Sequence, residues 1–180
     1  MTLLSLTNHL HTVSIETPLG SMIAIARTDA LLMLQFTDKV RLQNEIKQIE
    51  NSTQLSILPI KNAILDSIEN ELTFYFRGEL KVFNTPLQLI GTPFQHRVWH
   101  ALSNIPYGKT KSYTEEAHDI HHPSAYRAVA NANGANHLSI VIPCHRVISH
   151  SGELGGYSSG IYRKKWLLDH EQRHNNQQRI

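Results

Sequence analysis

Cysteine is nearly absent from this chain: its 180 residues contain one. That count excludes an intramolecular disulfide framework and any zinc site built from several thiolates. Long apolar runs are missing too. No stretch approaches the ~18 consecutive apolar residues of a membrane span, and the first residues lack the basic-then-apolar order of a secretory signal. These absences predict a soluble chain in a reducing, intracellular compartment: the cytoplasm, or the nucleus of a eukaryote. The length agrees, since 180 residues can bury the core of one large or two small domains without covalent staples.

Net charge is small, at +2, but unevenly placed. Residues 1–90 hold 7 Lys/Arg against 9 Asp/Glu, whereas residues 91–180 hold 10 against 6. Ten of the twelve histidines also lie in the second half. Such asymmetry is expected when only the second half meets an anion such as nucleic acid.

The first forty residues read as β-structure. Ser14-Ile15-Glu16 runs into a turn at Thr17-Pro18-Leu19-Gly20, residues 22–27 alternate loosely, and residues 31–36 follow Thr28-Asp29-Ala30. Hairpin-linked antiparallel strands are the natural expectation. Residues 39–50 read as a polar helix. From Asn62, the residues Ile64, Leu65, Ile68, Leu72, Tyr75 and Phe76 recur at helical spacing, and Gly78 supplies a stop. An α+β domain over residues 1–90 follows, closed where the pattern loosens around Pro86.

Residues 91–180 open on a well-signalled helix. Thr92 caps it, Pro93 suits its first position, and Gln95 completes a capping box. Phe94, Val98, Trp99 and Leu102 form its buried stripe, and Ile105-Pro106-Tyr107-Gly108 ends it in a tight turn. Ser112 with Glu115 gives a second capping box, so Tyr113 falls in the first turn of a helix reaching about Ile120. His121-His122-Pro123-Ser124 breaks that helix, and another runs over 125–133. Two short helices and a brief turn outline either a helix-turn-helix or an ordinary helical hairpin. The second helix is slim, with Ala125, Ala128, Val129, Ala130 and Ala132 around one long cation, Arg127. Such a helix suits a groove as narrow as the ~6 Å minor groove of B-DNA. A final helix is expected over 163–171, with a polar tail after it.

The lone cysteine stands in Pro143-Cys144-His145-Arg146-Val147, flanked by Ile140, Val141, Ile142 and Ile148. A thiol beside cationic groups loses its proton more readily, and the thiolate is the nucleophile. A buried cysteine serving as a small hydrophobe is the other reading that the composition allows.

The second half resembles the O6-alkylguanine-DNA alkyltransferases, direct-reversal repair proteins that move an alkyl group onto their own cysteine. The resemblance runs from Gly91-Thr92-Pro93-Phe94-Gln95 through Val98-Trp99, Ile105-Pro106-Tyr107-Gly108, Ser112-Tyr113, Arg127-Ala128-Val129, Asn133-Gly134 and Asn136. It continues with Ile142-Pro143-Cys144-His145-Arg146-Val147-Ile148, Gly155-Gly156-Tyr157, Lys165, Leu167-Leu168 and His170-Glu171. The first half matches more loosely, through Thr17-Pro18-Leu19-Gly20, Tyr75-Phe76 and Thr85-Pro86-Leu87. The resemblance implies an RNase H-like N-terminal domain and a winged-helix-like helix-turn-helix domain over residues 91–180.

It also implies roles. Cys144 takes the alkyl group once, by an SN2 displacement that leaves an inactive S-alkyl protein. His145 serves Cys144 as base through a water, and Glu171 orients His145, a triad logic in another setting. A sequence-adjacent His on a regular strand would face away from the thiol, so the backbone must bend or a water must bridge. Tyr113 donates its phenolic proton to guanine N3 as the base leaves. Backbone groups of Cys144, Val147 and Ser158 contact guanine, Tyr157 shapes the pocket, and Asn136 ties the helix-turn-helix to the cysteine segment. Arg127 on the slim helix, beside Ala128, fills the gap left by an extruded base. The implied partner is double-stranded DNA with alkylated bases (O6-alkylguanine, and O4-alkylthymine as well), met through the minor groove by a monomer without cofactor, metal or membrane.

Some residues depart from the family pattern. His137 and Ser139 stand where many relatives have prolines lining the alkyl pocket, His122 replaces a common glycine, and Tyr126 a common alanine. His170-Glu171-Gln172-Arg173-His174 spells the HExxH string, but no His, Asp, Glu or Cys follows His174 to supply a third ligand. Two rival functions stay open at this point: a cysteine hydrolase using Cys144 and His145, and a damage binder that recognises a lesion without transfer. Relatives of the second kind lack this cysteine.

Overall fold

The structure, a computed structural model, describes residues 9–176. The chain divides into two compact units, Met1–Ile90 and Gly91–Ile180.

In the first unit the strands β1 (His9–Ile15), β2 (Met22–Ala26) and β3 (Leu31–Phe36) form an antiparallel meander. After α1 (Leu42–Thr53), a short β4 (Ser56–Leu58) joins the other edge of β1 in parallel, giving the order β3-β2-β1-β4. The sheet is thus mixed, which corrects the all-antiparallel expectation. Three residues with no period of their own left no sequence signal for β4; pairing with β1 makes it a strand. Helix α2 (Ala63–Phe76) packs on β1 and β2. Its start is fixed by Asn62 Oδ1, which accepts from Leu65 N at 3.0 Å. Its end is a Schellman turn: Gly78 N donates to Tyr75 O and Glu79 N to Phe74 O, with Gly78 at φ 77°.

Leu10, Ile25, Leu32, Met33, Leu42 and Ile49 make one closed apolar cluster. All six residues of β3 are buried, and its outer edge is covered by the 85–90 strap, where Leu31 N donates to Pro86 O and Gln88 N to Leu31 O. Covering an edge in this way removes a template for unwanted strand pairing.

The second unit is built from α3 (Pro93–Ser103), α4 (Tyr113–Asp119), α5 (Tyr126–Gly134) and α6 (Ile161–Asn176). Both capping boxes form as the sequence spells them, at Thr92/Gln95 and Ser112/Glu115. Trp99, buried on α3, donates from Nε1 to Ala132 O on α5 at 2.8 Å, so the aromatic anchor also fixes the helix spacing. Phe94 is only half-buried. The α4–α5 turn is a second Schellman arrangement, with His121 N donating to His118 O and His122 N to Ala117 O. Its left-handed position is His121, at φ 59°, rather than the neighbouring His122.

Among the described residues the sheet structure in this unit is a two-residue parallel ladder between β5 (Lys111–Ser112) and β6 (Val147–Ile148), with Lys111↔Val147 and Ser112↔Ile148. Helix α6 reaches Asn176, past the expected end at 171. Its inward stripe is Lys164, Leu167, His170 and Glu171, all buried. A helix whose buried face is largely charged ends early when only apolar residues are counted. The tail beyond it lies outside the described residues.

Candidate active site

The cysteine segment is a chain of buried turns. Cys144–Arg146 is one turn of 3-10 helix entered from Pro143, followed by β6 (Val147–Ile148). The bend removes the strand problem, since Cys144, His145 and Arg146 are all buried although adjacent. Asn136 organises the segment from within. Its Oδ1 accepts from Leu138 N at 2.9 Å, while Nδ2 donates to Ile142 O at 2.9 Å and to Cys144 Sγ at 3.3 Å. One amide therefore shapes the turn and offers an N–H to the sulfur. Ile140, fully buried at φ 74°, is a β-branched residue in left-handed backbone. Strain of this kind persists where the surroundings over-determine it.

Below the sulfur lies a buried charge cluster. His145 Nε2 is 2.8 Å from Glu171 Oε1. Arg146 grips the same carboxylate with a fork, Nε to Oε2 at 2.8 Å and Nη2 to Oε1 at 3.0 Å, and sends Nη1 to Ile105 O at 2.6 Å. Gly108 N adds a fourth donor to Oε2 at 3.0 Å. That contact needs the left-handed backbone of Gly108, φ 69°, where a Cβ would stand 2.8 Å from Asn175 Cβ.

Burial alone would raise the Glu171 carboxyl, but His145 and Arg146 overcome it and hold the group well below the usual carboxylate range. Burial lowers His145, outweighing the pull of Glu171 in the other direction. The ring is therefore neutral at pH 7. Facing a carboxylate, Nε2 must carry the hydrogen, which leaves Nδ1 as a bare acceptor. Nδ1 is buried and has no protein partner among the described residues. A neutral imidazole with one nitrogen pinned and the other free is a base ready for use.

In front of the sulfur is a cavity of about 420 Å³, lined chiefly by Tyr113, Asn133, Cys144, Gly156, Tyr157 and Ser158. Tyr113 OH donates to Gly156 O at 3.4 Å. Burial, then the charges of Cys144 and Glu116, raise the Tyr113 hydroxyl, so it holds its proton as a donor. Gly155 lies against this ring at φ 64°, and a Cβ there would meet Tyr113 Cε2 at 3.2 Å. Burial and the Cys144 charge push Tyr157 well above the ordinary phenol range, with Ser139 pulling the other way.

Two buried cations of the site carry no signal in the sequence beyond their spacing, with Arg146 standing next but one to the thiol. Arg146 is the clamp on Glu171. Lys164 is fully buried and donates from Nζ to Val147 O and, at 3.1 Å, to Gly156 O, with the Tyr113 ring 5.9 Å away. Burial lowers its pKa to about 8, and the negative charge at Cys144 opposes that shift. The neighbouring Lys165, quoted for the resemblance, is exposed and pairs with Asp169 at 2.7 Å. Helical spacing to Leu167 and Glu171 was the available signal for Lys164.

Other predicted residues fall elsewhere. Arg127 and Ala128 are exposed on α5, with the Arg127 guanidinium 5.4 Å from the Tyr126 ring centre. Val147 is buried behind the cysteine, its carbonyl taken by Lys164. Ser158 is exposed at the cavity mouth. His137 packs 6.2 Å from the Trp99 ring and is not part of the cavity lining. The HExxH residues are otherwise engaged: Glu171 is clamped inside, and His170 stacks on Trp166 at 4.8 Å.

Residues 93–173 match the family model described as 6-O-methylguanine DNA methyltransferase, DNA binding domain. The chain is 41% identical over 162 residues to the methylated-DNA–protein-cysteine methyltransferase of Mycobacterium leprae, covering 90% of this chain and 92% of that protein. Its structure is similar to the crystal structure of Mycobacterium tuberculosis O6-methylguanine methyltransferase, with a TM-score of 0.78 at 39% identity over 92% of this chain and 94% of that one. A crystal structure of the Mycobacterium tuberculosis OGT in complex with DNA is similar at TM-score 0.77 and 38% identity, with the same coverage.

Proposed function

Since this chain belongs to the methylated-DNA–protein-cysteine methyltransferase family, we propose a division of labour among the residues around its only cysteine. The protein repairs DNA directly by moving an alkyl group from O6-alkylguanine onto that cysteine. One thiol per chain makes Cys144 the acceptor and limits each molecule to one turnover.

Cys144 gives its proton through a water to His145 Nδ1. The thiolate is favoured by the Lys164 ammonium and the Asn136 N–H. Sulfur attacks the alkyl carbon from behind, the carbon–O6 bond breaks, and its electron pair passes into guanine. Tyr113 supplies a proton to N3 as that charge develops and recovers one from His145. Glu171 and Arg146 act as positioning residues that keep the imidazole in its base form. The observation that carries this reading is the pinned, neutral His145 beneath a cysteine that opens on a cavity.

DNA is the partner. We infer that residues 91–180 carry both DNA binding and transfer, and that residues 1–90 are structural. The exposed, slim face of α5 enters the minor groove, the lesion is extruded into the cavity, and Arg127 or the Tyr126–Arg127 pair takes its place. O4-alkylthymine fits the same chemistry, because its alkyl carbon is also bonded to an exocyclic oxygen. The site of action is the cytoplasm, or the nucleus of a eukaryote, where DNA and a reduced thiol coexist. Among the described residues no helix is long and apolar enough to cross a membrane.

Mass spectrometry after mixing with an O6-methylguanine oligonucleotide tests the reading. The Cys144 peptide gains one methylene and Cys144→Ala gains none. An unmodified Cys144 with the lesion intact would overturn it. Repeated turnover on an ester or peptide would favour the hydrolase.

A further inference from the structure

Glu116 on α4 is a carboxylic acid with no solvent exposure, and it bonds across to α5. It lies one turn after Tyr113 on α4, on the same face at i and i+3. Across the helix pair its Oε2 accepts from Asn133 Nδ2 at 2.7 Å. Asn133, on α5, is itself a wall of the Cys144 cavity. Two oxygens of this pair are buried and have no hydrogen-bond partner among the described residues: Glu116 Oε1 and Asn133 Oδ1. Both are acceptors while Glu116 is ionised, and a buried acceptor without a donor is destabilising. A single proton on Oε1 would make it a donor, and Asn133 Oδ1, on the amide already bonded to this carboxyl, is an acceptor without one.

We propose that Glu116 is a positioning residue that works as a neutral acid, closing a two-hydrogen-bond acid–amide pair with Asn133 that locks the Tyr113 helix to the wall of the Cys144 cavity. The inference rests on Cys144 being the alkyl acceptor. Its surroundings support it. Burial pushes Glu116 up to about 8; the Asn133 hydrogen bond opposes this, Asp119 on α4 adds to it, and Lys111 on β5 opposes it. Lys111 and Asp119 pair with each other, so neither is a counter-ion dedicated to Glu116. On α3 Arg97 and His100 are exposed and His96 is half-buried, Arg127 on α5 is exposed, and β6 contributes only Val147 and Ile148. When Glu116 ionises, its charge faces Asn133 Oδ1 and makes Tyr113 hold its proton more tightly. Both changes slow transfer.

The proposal is tested by following single-turnover transfer and thermal unfolding from pH 6 to 9.5 in wild type, Glu116→Gln and Glu116→Ala. Glu116→Ala transfers more slowly throughout, and Glu116→Gln, which keeps a neutral donor, restores the rate. At pH 9 the wild type falls ~10-fold behind Glu116→Gln, because one unit above its midpoint about a tenth of an acid remains protonated. The melting advantage of Glu116→Gln grows as pH rises and levels off above about pH 8. A constant ratio of wild-type to Glu116→Gln rates across this range would overturn the proposal. So would a Glu116 carboxyl carbon that titrates near 4.5 by NMR. The NMR and melting readouts need no transfer, so they separate failure of this inference from failure of the transfer reading itself.

Discussion

His145 Nε2 and Glu171 Oε1 meet at 2.8 Å with neither side chain exposed to solvent. The contact turns Nε2 to the carboxylate and leaves Nδ1 as the open nitrogen, and the same carboxylate pairs with Arg146.

Glu171→Gln should therefore fail in two measurable ways. Arg146 would be left as an unpaired buried charge, a loss of about 3–5 kcal/mol in denaturant melts. The Gln amide could donate to Nε2, flipping the hydrogen to Nδ1 and removing the base, so transfer should fall by more than the stability loss explains. The pH dependence follows from the depressed carboxyl. A depressed acid contributes stability that is complete above its unfolded value and is lost as pH falls through the folded one. Wild type should thus lose stability steadily below about pH 5, and Glu171→Gln should show a smaller share of that acid limb.

Lys164→Met tests the second charge near the sulfur. Met matches the length of the Lys stem and leaves no buried ammonium, while Val147 O and Gly156 O lose their donor. Cys144 should react more slowly with iodoacetamide at pH 7, by roughly tenfold for each unit of lost thiolate stabilisation. The gap should narrow as alkali ionises the thiol without help. An unchanged reactivity profile would remove Lys164 from the nucleophile's environment.

These two residues also mark the limit of what the sequence could reveal. Thr92/Gln95 and Ser112/Glu115 were legible because a capping box is a local rule, decided within four residues. Cys144 was legible because it is alone. The 3-10 turn under it was not, since it depends on Asn136 reaching six and eight residues along the chain to bond Ile142 O and Cys144 Sγ. Strand β4 was hidden because only a partner makes it a strand. Lys164 and Glu116 carried no signal of burial, and Arg146 showed only as a cation beside the thiol, because no periodicity of apolar residues reports a buried charge.

His121→Gly should stabilise the protein. His121 adopts φ 59° at the C-terminal turn of α4, a conformation that costs a residue with a Cβ about 1–2 kcal/mol. Part of this relief returns as the extra chain entropy of an unfolded glycine, roughly 0.5–1 kcal/mol. A net gain of about 0.5–1 kcal/mol is expected in chemical denaturation, with transfer unchanged. A loss of stability would show that the His121 side chain makes a contact outweighing its strain.

Arg127→Ala separates DNA docking from base extrusion. Arg127 is exposed on the slim face of α5 and lies over the Tyr126 ring. If it only contacts a phosphate, its loss weakens binding alike for all sequences and reduces the salt slope of log K by about 1. If it fills the space of an extruded base, the loss appears in the transfer rate at saturating duplex. Extrusion costs a few kcal/mol, so roughly 10- to 100-fold slower transfer is expected from duplex DNA. From a single-stranded lesion, where no stack has to be refilled, the rate should change far less. Equal effects on duplex and single strand would assign Arg127 to docking alone.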